Sequence, residues 1–166
     1  MHKPINIEHK YCSYFFSPTG MIELISNNDF LLELNFVDEK RFPIKSNPLL
    51  ENASEQLKEY FSHNRIEFAI PMAPHGTDFQ KRVWNELLKI PFGKTITYYN
   101  LAQRLGNAKV IRAAANANGK NPIAIIIACH RVIGMDGSLT GYAGGIHRKK
   151  WLLDFETGVL GLGFDV

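Results

Sequence analysis

The sequence predicts an α+β fold in two parts, a β-rich N-terminal domain and a mainly helical C-terminal domain that holds the candidate site. Three features support this division. Short apolar runs separated by turn residues fill the first third, apolar residues at helical spacing dominate the rest, and a proline-broken stretch over residues 68–76 separates the two. We therefore expect one domain over residues 1–74 and a second over residues 75–166.

Three antiparallel strands and one helix are predicted in the N-terminal domain. Residues 11–39 contain three apolar or alternating runs, separated at residues 18–20 and 27–29 by Pro, Gly, Asn and Asp, which favour turns. Residues 47–64 then place five apolar side chains at helical spacing, namely Leu50, Ala53, Leu57, Tyr60 and Phe61.

Amphipathic helices open and close the C-terminal domain. Thr77 and Gln80 form a predicted capping box, and Pro91 and Gly93 end the first helix, whose apolar face consists of Phe79, Val83, Trp84, Leu87 and Leu88. A last helix is predicted over residues 147–156, with an inward face formed by Trp151, Leu152 and Phe155.

Between them lies a predicted helix-turn-helix. Residues 98–105 and 108–118 form two short helices joined by a tight turn at residues 106–107, although many helical hairpins share this spacing and bind nothing. The second helix is rich in alanine, and Arg112 is its one long cation after the first turn. Such a helix lacks the polar readers of a major-groove helix, but it suits close approach to a minor groove with Arg112 inserted. An alanine-rich core helix has the same composition, so the segment alone leaves both interpretations open.

Cys129 follows the apolar run over residues 123–128, which predicts a buried strand. Neighbours on a strand point to opposite faces, so Cys129 and His130 can cooperate only if the chain turns at the cysteine. His130 would then accept the thiol proton, and Glu156 would orient the imidazole, as in a Cys-His-acid triad. A structural cysteine beside a satisfied histidine is the alternative. Neither cysteine has metal-site spacing, so no metal or disulfide is expected.

Charge divides along the chain in the same way as the predicted elements. The overall net charge is +3, but residues 1–74 carry −3 and residues 75–166 carry +6. A basic C-terminal domain suits a polyanionic partner, and it is equally compatible with a merely solvated surface. The sequence has no apolar run long enough to span a membrane and no secretory signal, so we expect a cytoplasmic protein.

Three motifs in order resemble the C-terminal domain of O6-alkylguanine-DNA alkyltransferases. They are Asn-Pro at residues 121–122, Cys-His-Arg-Val at residues 129–132 and Tyr-Ala-Gly-Gly at residues 142–145, within a resemblance that runs from about residue 76 to residue 156. The first third resembles the family's ribonuclease-H-like domain more loosely. The resemblance implies a ribonuclease-H-like N-terminal domain followed by a helix-turn-helix, winged-helix-like domain for DNA binding and catalysis.

The resemblance also implies direct-reversal DNA repair. The protein would flip the damaged nucleotide and move the alkyl group of O6-alkylguanine, and of O4-alkylthymine, irreversibly to Cys129, once per molecule and without a cofactor. Double-stranded alkylated DNA would be bound through the minor groove, with little sequence preference, by a monomer.

Individual roles follow from the same resemblance. Cys129 accepts the alkyl group, His130 is the base through a water, and Glu156 polarises His130. Asn121 organises the turn between the recognition helix and the active-site strand, and Tyr98 serves the flipped guanine and the adjacent phosphate. The implied guanine contacts are Tyr98, Val132, Tyr142 and Ala143, and the implied DNA contacts are Arg112, Ala113, Tyr98 and Arg131.

Two departures and three rival functions accompany the resemblance. Most family members have proline where this chain has Ala124 and Ala128, and the smaller Ala124 is predicted to widen the pocket for adducts bulkier than methyl. A non-catalytic protein that binds alkylated DNA would lack Cys129. A helix-turn-helix regulator would need polar base readers, and a cysteine hydrolase would cleave its covalent intermediate.

Overall fold

A computed structural model describes residues 9–158, and the chain divides into two compact units between His75 and Gly76. Each unit has its own core. No helix within the described residues is long and apolar enough to cross a membrane. Cys12 in the first unit and Cys129 in the second are both buried free thiols.

The first unit is a three-stranded antiparallel sheet with one helix. The three predicted strands are present as β1 (Tyr11–Ser17), β2 (Gly20–Ser26) and β3 (Leu31–Phe36), and they lie in the sheet in sequence order. Helix α1 (Pro48–Phe61) begins after Asn47, whose side chain accepts a hydrogen bond from the Leu50 amide. The helix buries the predicted Leu50, Ala53, Leu57 and Tyr60, while Phe61 is only partly buried.

The second unit contains the remaining helices of the described chain. Helix α2 (Asp78–Leu87) begins with the predicted capping box, and its Trp84 indole donates a 2.9 Å hydrogen bond to the Ala117 carbonyl. Helix α3 (Tyr98–Arg104) and helix α4 (Ile111–Gly119) form the predicted pair. The start predicted for α4 is wrong by one turn, because Asn107 caps a separate 3-10 turn at Ala108–Val110.

Two short strands place the helical pair beside the cysteine. Strand β4 (Ile96–Thr97) runs directly into α3 and pairs in parallel with β5 (Val132–Ile133), which follows the Cys-His-Arg segment. Helix α5 (Ile146–Glu156) then completes the unit. Its Trp151 is half-buried rather than fully inward and stacks on Phe155 at 5.1 Å.

The strand predicted over residues 123–128 is wrong. All six residues are buried, but Ile123 makes only an isolated bridge, residues 124–126 form a turn, and Ile125 has φ of +69°. The Ile126 amide bonds to the Ala124 carbonyl and the Ile127 amide to the Ile123 carbonyl, so the segment satisfies its own backbone instead of joining a sheet. Burial explains why the segment is apolar, and its internal hydrogen bonds explain why its backbone is not an extended strand.

Candidate active site

Cys129 lies in a buried 3-10 turn over Cys129–Arg131, so the chain turns at the cysteine as predicted. The Cys129 amide donates to the Ile127 carbonyl at 2.8 Å. Its own carbonyl accepts hydrogen bonds from the Val132 amide and, at 3.4 Å, from the Asn118 side chain. The thiol is therefore held on a fixed backbone.

Asn121 shapes the loop that carries the thiol. Its Nδ2 is shared among the Ile123 carbonyl at 3.2 Å, the Ile127 carbonyl at 2.7 Å and the Cys129 Sγ at 3.1 Å. Its Oδ1 accepts from the Ile123 amide at 3.0 Å. One buried carboxamide thus replaces the missing strand partners and also donates to the sulfur, which favours the thiolate form.

His130 and Glu156 form a buried pair. His130 Nε2 lies 2.7 Å from Glu156 Oε1, and the histidine is fully buried. Because a carboxylate only accepts, Nε2 carries the proton and Nδ1 is the basic nitrogen. Nδ1 is buried and has no hydrogen-bond partner among the described residues. It is therefore available to take a proton from the thiol or from a water.

Arg131 is bound to Glu156 and is not available at the surface, contrary to its predicted role as a DNA contact. Its Nε and Nη2 donate to the two oxygens of Glu156 at 2.8 and 2.7 Å, and its Nη1 donates to the Ile90 carbonyl at 2.7 Å. The side chain is buried, so the prediction that Arg131 contacts DNA is wrong. It instead holds the Glu156 carboxylate in a bidentate pair.

Burial sets the protonation states of the resting site. Burial raises the pKa of the Cys129 thiol above its ordinary 9.0, although the Asn121 hydrogen bond and the Lys149 charge oppose this. Burial also lowers the pKa of His130 below its ordinary 6.5, against the pull of Glu156. Burial alone would raise the pKa of Glu156, but His130 and Arg131 hold it well below its usual range. At neutral pH the site is a thiol, a neutral imidazole and a carboxylate.

Tyr98 lies half-buried at the start of α3. Its hydroxyl donates to the Thr140 carbonyl at 2.9 Å and accepts from Lys149 Nζ at 3.3 Å. Lys149 is fully buried and was missed in the sequence because nothing there distinguishes it from its neighbour Lys150. A usable signal exists, since residues seven apart, such as Lys149 and Glu156, share one helix face.

The remaining predicted guanine contacts differ in their burial. Val132 is buried directly after the Cys129 turn, and its amide donates to the Cys129 carbonyl. Ala143 is exposed, whereas Tyr142 is buried and its hydroxyl has no partner among residues 9–158. Buried polar atoms normally have partners. The Tyr142 hydroxyl and His130 Nδ1 are therefore groups that a substrate or a water would satisfy.

The predicted DNA residues of α4 face outward. Arg112 and Ala113 are both exposed, and Arg112 makes no hydrogen bond or ion pair within the described part of the chain. The buried side of the helix consists of Ala114, Ala117 and Asn118. One face of the alanine-rich helix therefore packs in the core, while the exposed face with Arg112 leaves the predicted approach to DNA a prediction.

Together these groups are typical of a class of protein, the cysteine-dependent enzymes, and here they lie in the same unit as a helix-turn-helix. Residues 78–158 match the family model described as the DNA-binding domain of 6-O-methylguanine DNA methyltransferase, and residues 10–74 match its ribonuclease-like domain. The chain belongs to the 6-O-methylguanine DNA methyltransferase family.

Curated relatives and solved structures agree with this assignment. A methylated-DNA–protein-cysteine methyltransferase of Methanosarcina acetivorans is 44% identical over 152 residues, covering 88% of this chain and 97% of the relative. One of Mycobacterium tuberculosis strain H37Rv is 42% identical over 145 residues, covering 84% and 88%.

Solved structures of the Mycobacterium tuberculosis protein show that the fold is similar as well. Its O6-methylguanine methyltransferase matches with a TM-score of 0.82 and 40% identity over 90% of this chain and 93% of that one. Mycobacterium tuberculosis OGT in complex with DNA matches with a TM-score of 0.81 and 41% identity over 91% and 94%. The predicted fold class, a ribonuclease-like domain followed by a DNA-binding domain, is confirmed.

Proposed function

We propose that this protein repairs DNA by direct reversal, as a methylated-DNA–protein-cysteine methyltransferase that takes the methyl group of O6-methylguanine onto Cys129. The observation that carries the proposal is a buried thiol followed by His130, whose Nε2 is bonded to Glu156 and whose Nδ1 is open. The names of the relatives in Methanosarcina and Mycobacterium support the same activity.

In the proposed reaction His130 Nδ1 takes the thiol proton, directly or through a water. The sulfur attacks the methyl carbon, the S–C bond forms as the C–O6 bond breaks, and the electron pair goes to guanine. One proton has left the thiol and one is taken up by guanine, so charge balances. Glu156 stabilises the imidazolium that forms.

The product explains why each molecule would act once. A cysteine hydrolase forms a thioester, whose acyl carbon water can attack. A methyl thioether has no acyl carbon, and its sulfur is a poor leaving group. We therefore propose a single, irreversible transfer to Cys129 rather than turnover, and a catalytic protein rather than one that only binds alkylated DNA.

A buried thiol can reach O6 of a stacked guanine only if the nucleotide leaves the duplex. Extrusion costs a few kcal/mol. We propose that Arg112 fills the vacated space and that Ala113 lets α4 approach the minor groove with little sequence preference. The net charge of +6 over residues 75–166 supplies phosphate attraction. We also propose that the protein repairs O4-alkylthymine, acts as a monomer and is located in the cytoplasm.

Mass spectrometry after incubation with a duplex that contains O6-methylguanine tests the proposal. We expect one methyl group on the peptide that contains Cys129, in an amount equal to the lesions removed. Cys129→Ser should remove transfer and keep duplex binding nearly intact, since the hydroxyl is close in size. Repair with an unmodified Cys129, or removal of many lesions per molecule, would refute it.

A further inference from the structure

Asn118 is a buried carboxamide beside the Cys129 backbone that the proposed mechanism does not use. It lies on the inner face of α4, is 1% exposed, and its Nδ2 donates to the Cys129 carbonyl at 3.4 Å. Its Oδ1 is also buried and has no hydrogen-bond partner among the described residues. A buried oxygen without a donor is costly, so we expect this atom to bind a further group.

The Asn118 carboxamide contacts the peptide unit that joins Cys129 to His130, because the carbonyl that it binds belongs to that unit. His130 carries a second buried atom of the same kind, since its Nδ1 has no partner within residues 9–158. The His130 Nε2 donates to Glu156, so Nδ1 can only accept, and the Asn118 Oδ1 can only accept as well. Two side chains that meet one peptide unit therefore each present an acceptor in need of a donor.

One water molecule would satisfy both acceptors and the thiol of the same turn. Burial raises the pKa of Cys129, so the thiol keeps its proton at rest, and its sulfur accepts from Asn121 Nδ2 at 3.1 Å, which leaves the S–H to donate. One thiol proton cannot satisfy two acceptors. A water has two O–H donors and two lone pairs, so it can donate to Asn118 Oδ1 and His130 Nδ1 and accept from the thiol. A buried water typically makes about three hydrogen bonds.

We infer that Asn118 is a positioning residue, whose Oδ1 and the Nδ1 of His130 together hold the water that takes the thiol proton during alkyl transfer. The inference rests on the proposed function. As the sulfur attacks the methyl carbon, its proton passes to the water, and the water passes one of its own protons to Nδ1. The water is unchanged, and its second O–H still donates to Asn118. The net step moves one proton from the thiol to the imidazole, and guanine takes up one proton as before.

Asn118 also has a structural contact, which the test must separate from this role. Its Nδ2 donates to the Cys129 carbonyl, but at 3.4 Å the bond is long, and the same carbonyl accepts from the Val132 amide. Loss of this contact would lower the transfer rate by the same factor at every pH. Loss of the anchor for the water would instead change the pH dependence, because hydroxide can remove the thiol proton when the water no longer does.

Asn118→Leu removes both polar atoms and keeps a side chain of similar shape. Single-turnover methyl transfer is measured at saturating O6-methylguanine duplex over a range of pH, together with the half-saturating duplex concentration. The iodoacetamide alkylation of Cys129 near neutral pH is measured in parallel. Asn116→Leu is the matched control, because Asn116 is an exposed carboxamide on the same helix. The control is read with iodoacetamide, a reaction in which DNA takes no part.

We expect Asn118→Leu to slow both alkylations of Cys129 near neutral pH by roughly 5- to 50-fold, a part of what a positioned base contributes. The methyl-transfer rate of the variant should then rise by up to about tenfold per pH unit in alkaline solution, where hydroxide removes the thiol proton. The half-saturating duplex concentration and the iodoacetamide rate of Asn116→Leu should stay the same. An unchanged rate, or a loss of the same factor at every pH, would overturn the inference.

A double-mutant cycle with His130→Leu checks that Asn118 acts through the water bound to Nδ1. In the His130→Leu background, Asn118→Leu should add less than about threefold, because the base that the water serves is gone, and additive losses would overturn the inference. If Asn118→Leu fails to fold, Asn118→Ala is used and the same outcomes decide. Failure of the proposed function would appear as no methyl transfer to Cys129 in the unsubstituted protein, whereas failure of this inference would leave that transfer intact.

Discussion

Glu156→Gln is the substitution with the largest effect that the structure predicts outside the thiol itself. The carboxylate is buried, and it accepts from His130 Nε2, from two nitrogens of Arg131 and, at 3.4 Å, from the Gly93 amide. Each of these partners is a donor. A glutamine offers one oxygen and one NH2 group, so whichever way it turns, its NH2 faces a donor.

The loss of stability in Glu156→Gln can be judged from the Arg131 guanidinium, which stays buried after its partner is removed. Arg131 is buried, and without the carboxylate its charge has no other ion-pair partner among the residues that the structure describes. Removing one partner of a buried pair costs about 3–5 kcal/mol, which lowers the melting temperature by on the order of 10 °C or more. The rate of transfer should fall by roughly 100-fold or more, because a neutral amide does not stabilise the imidazolium of His130.

Urea unfolding and single-turnover transfer, both well below the melting temperature of the variant, measure the two effects. Asp154→Asn is the control, since Asp154 is on the same helix but pairs at the surface with Lys150. That substitution should cost less than about 0.5 kcal/mol and leave the rate unchanged. A Glu156→Gln protein as stable as the control would show that Arg131 finds another partner and that the reasoning is wrong.

Four further predictions concern the pH dependence, Arg112, Ala128 and Ala124. Burial raises the pKa of Cys129 and lowers that of His130, so the thiol and the neutral imidazole coexist above pH 6.5. The transfer rate should therefore vary by less than about twofold from pH 6.5 to 8.5. A tenfold rise per pH unit would mean that solvent removes the thiol proton. Arg112→Ala should slow repair of a duplex far more than reaction with free O6-methylguanine, since only the duplex requires extrusion, and equal losses would give Arg112 another role. Ala128 has φ of −79°, and its amide donates no hydrogen bond within residues 9–158, so the backbone there suits proline. Ala128→Pro should raise the free energy of unfolding, measured by urea titration, by about 0.4–1 kcal/mol. A lower free energy of unfolding would contradict this prediction. For Ala124→Pro the ratio of benzyl to methyl repair rates should fall, and an unchanged ratio would remove the idea of a wider pocket.

Local rules predicted most of the elements. Helix α2 begins at the predicted residue because Thr77 and Gln80 cap each other, a contact made within four residues. Strands β1 to β3 lie between residues that favour turns. The strand predicted over residues 123–128 does not form, although these residues favour an extended backbone. The Asn121 side chain makes the hydrogen bonds that a neighbouring strand would have made.

The charged residues of the site show a different limit of prediction. Shared chemistry suggested Cys129, His130 and Glu156 as a triad, the resemblance to a known family supplied their roles, and the structure brings His130 and Glu156 into contact. Arg131 and Lys149 look like surface cations in the sequence, yet both are buried. Their burial depends on Glu156 and Thr140, which meet them only after the chain has folded.

The Asn121 carboxamide has a consequence for how the loop before the sulfur can be redesigned. A loop that is held from within by a single side chain does not need rigid residues along its length to keep its course. We therefore expect side chains of other sizes at positions 124 and 128 to leave the sulfur in place as long as Asn121 is kept.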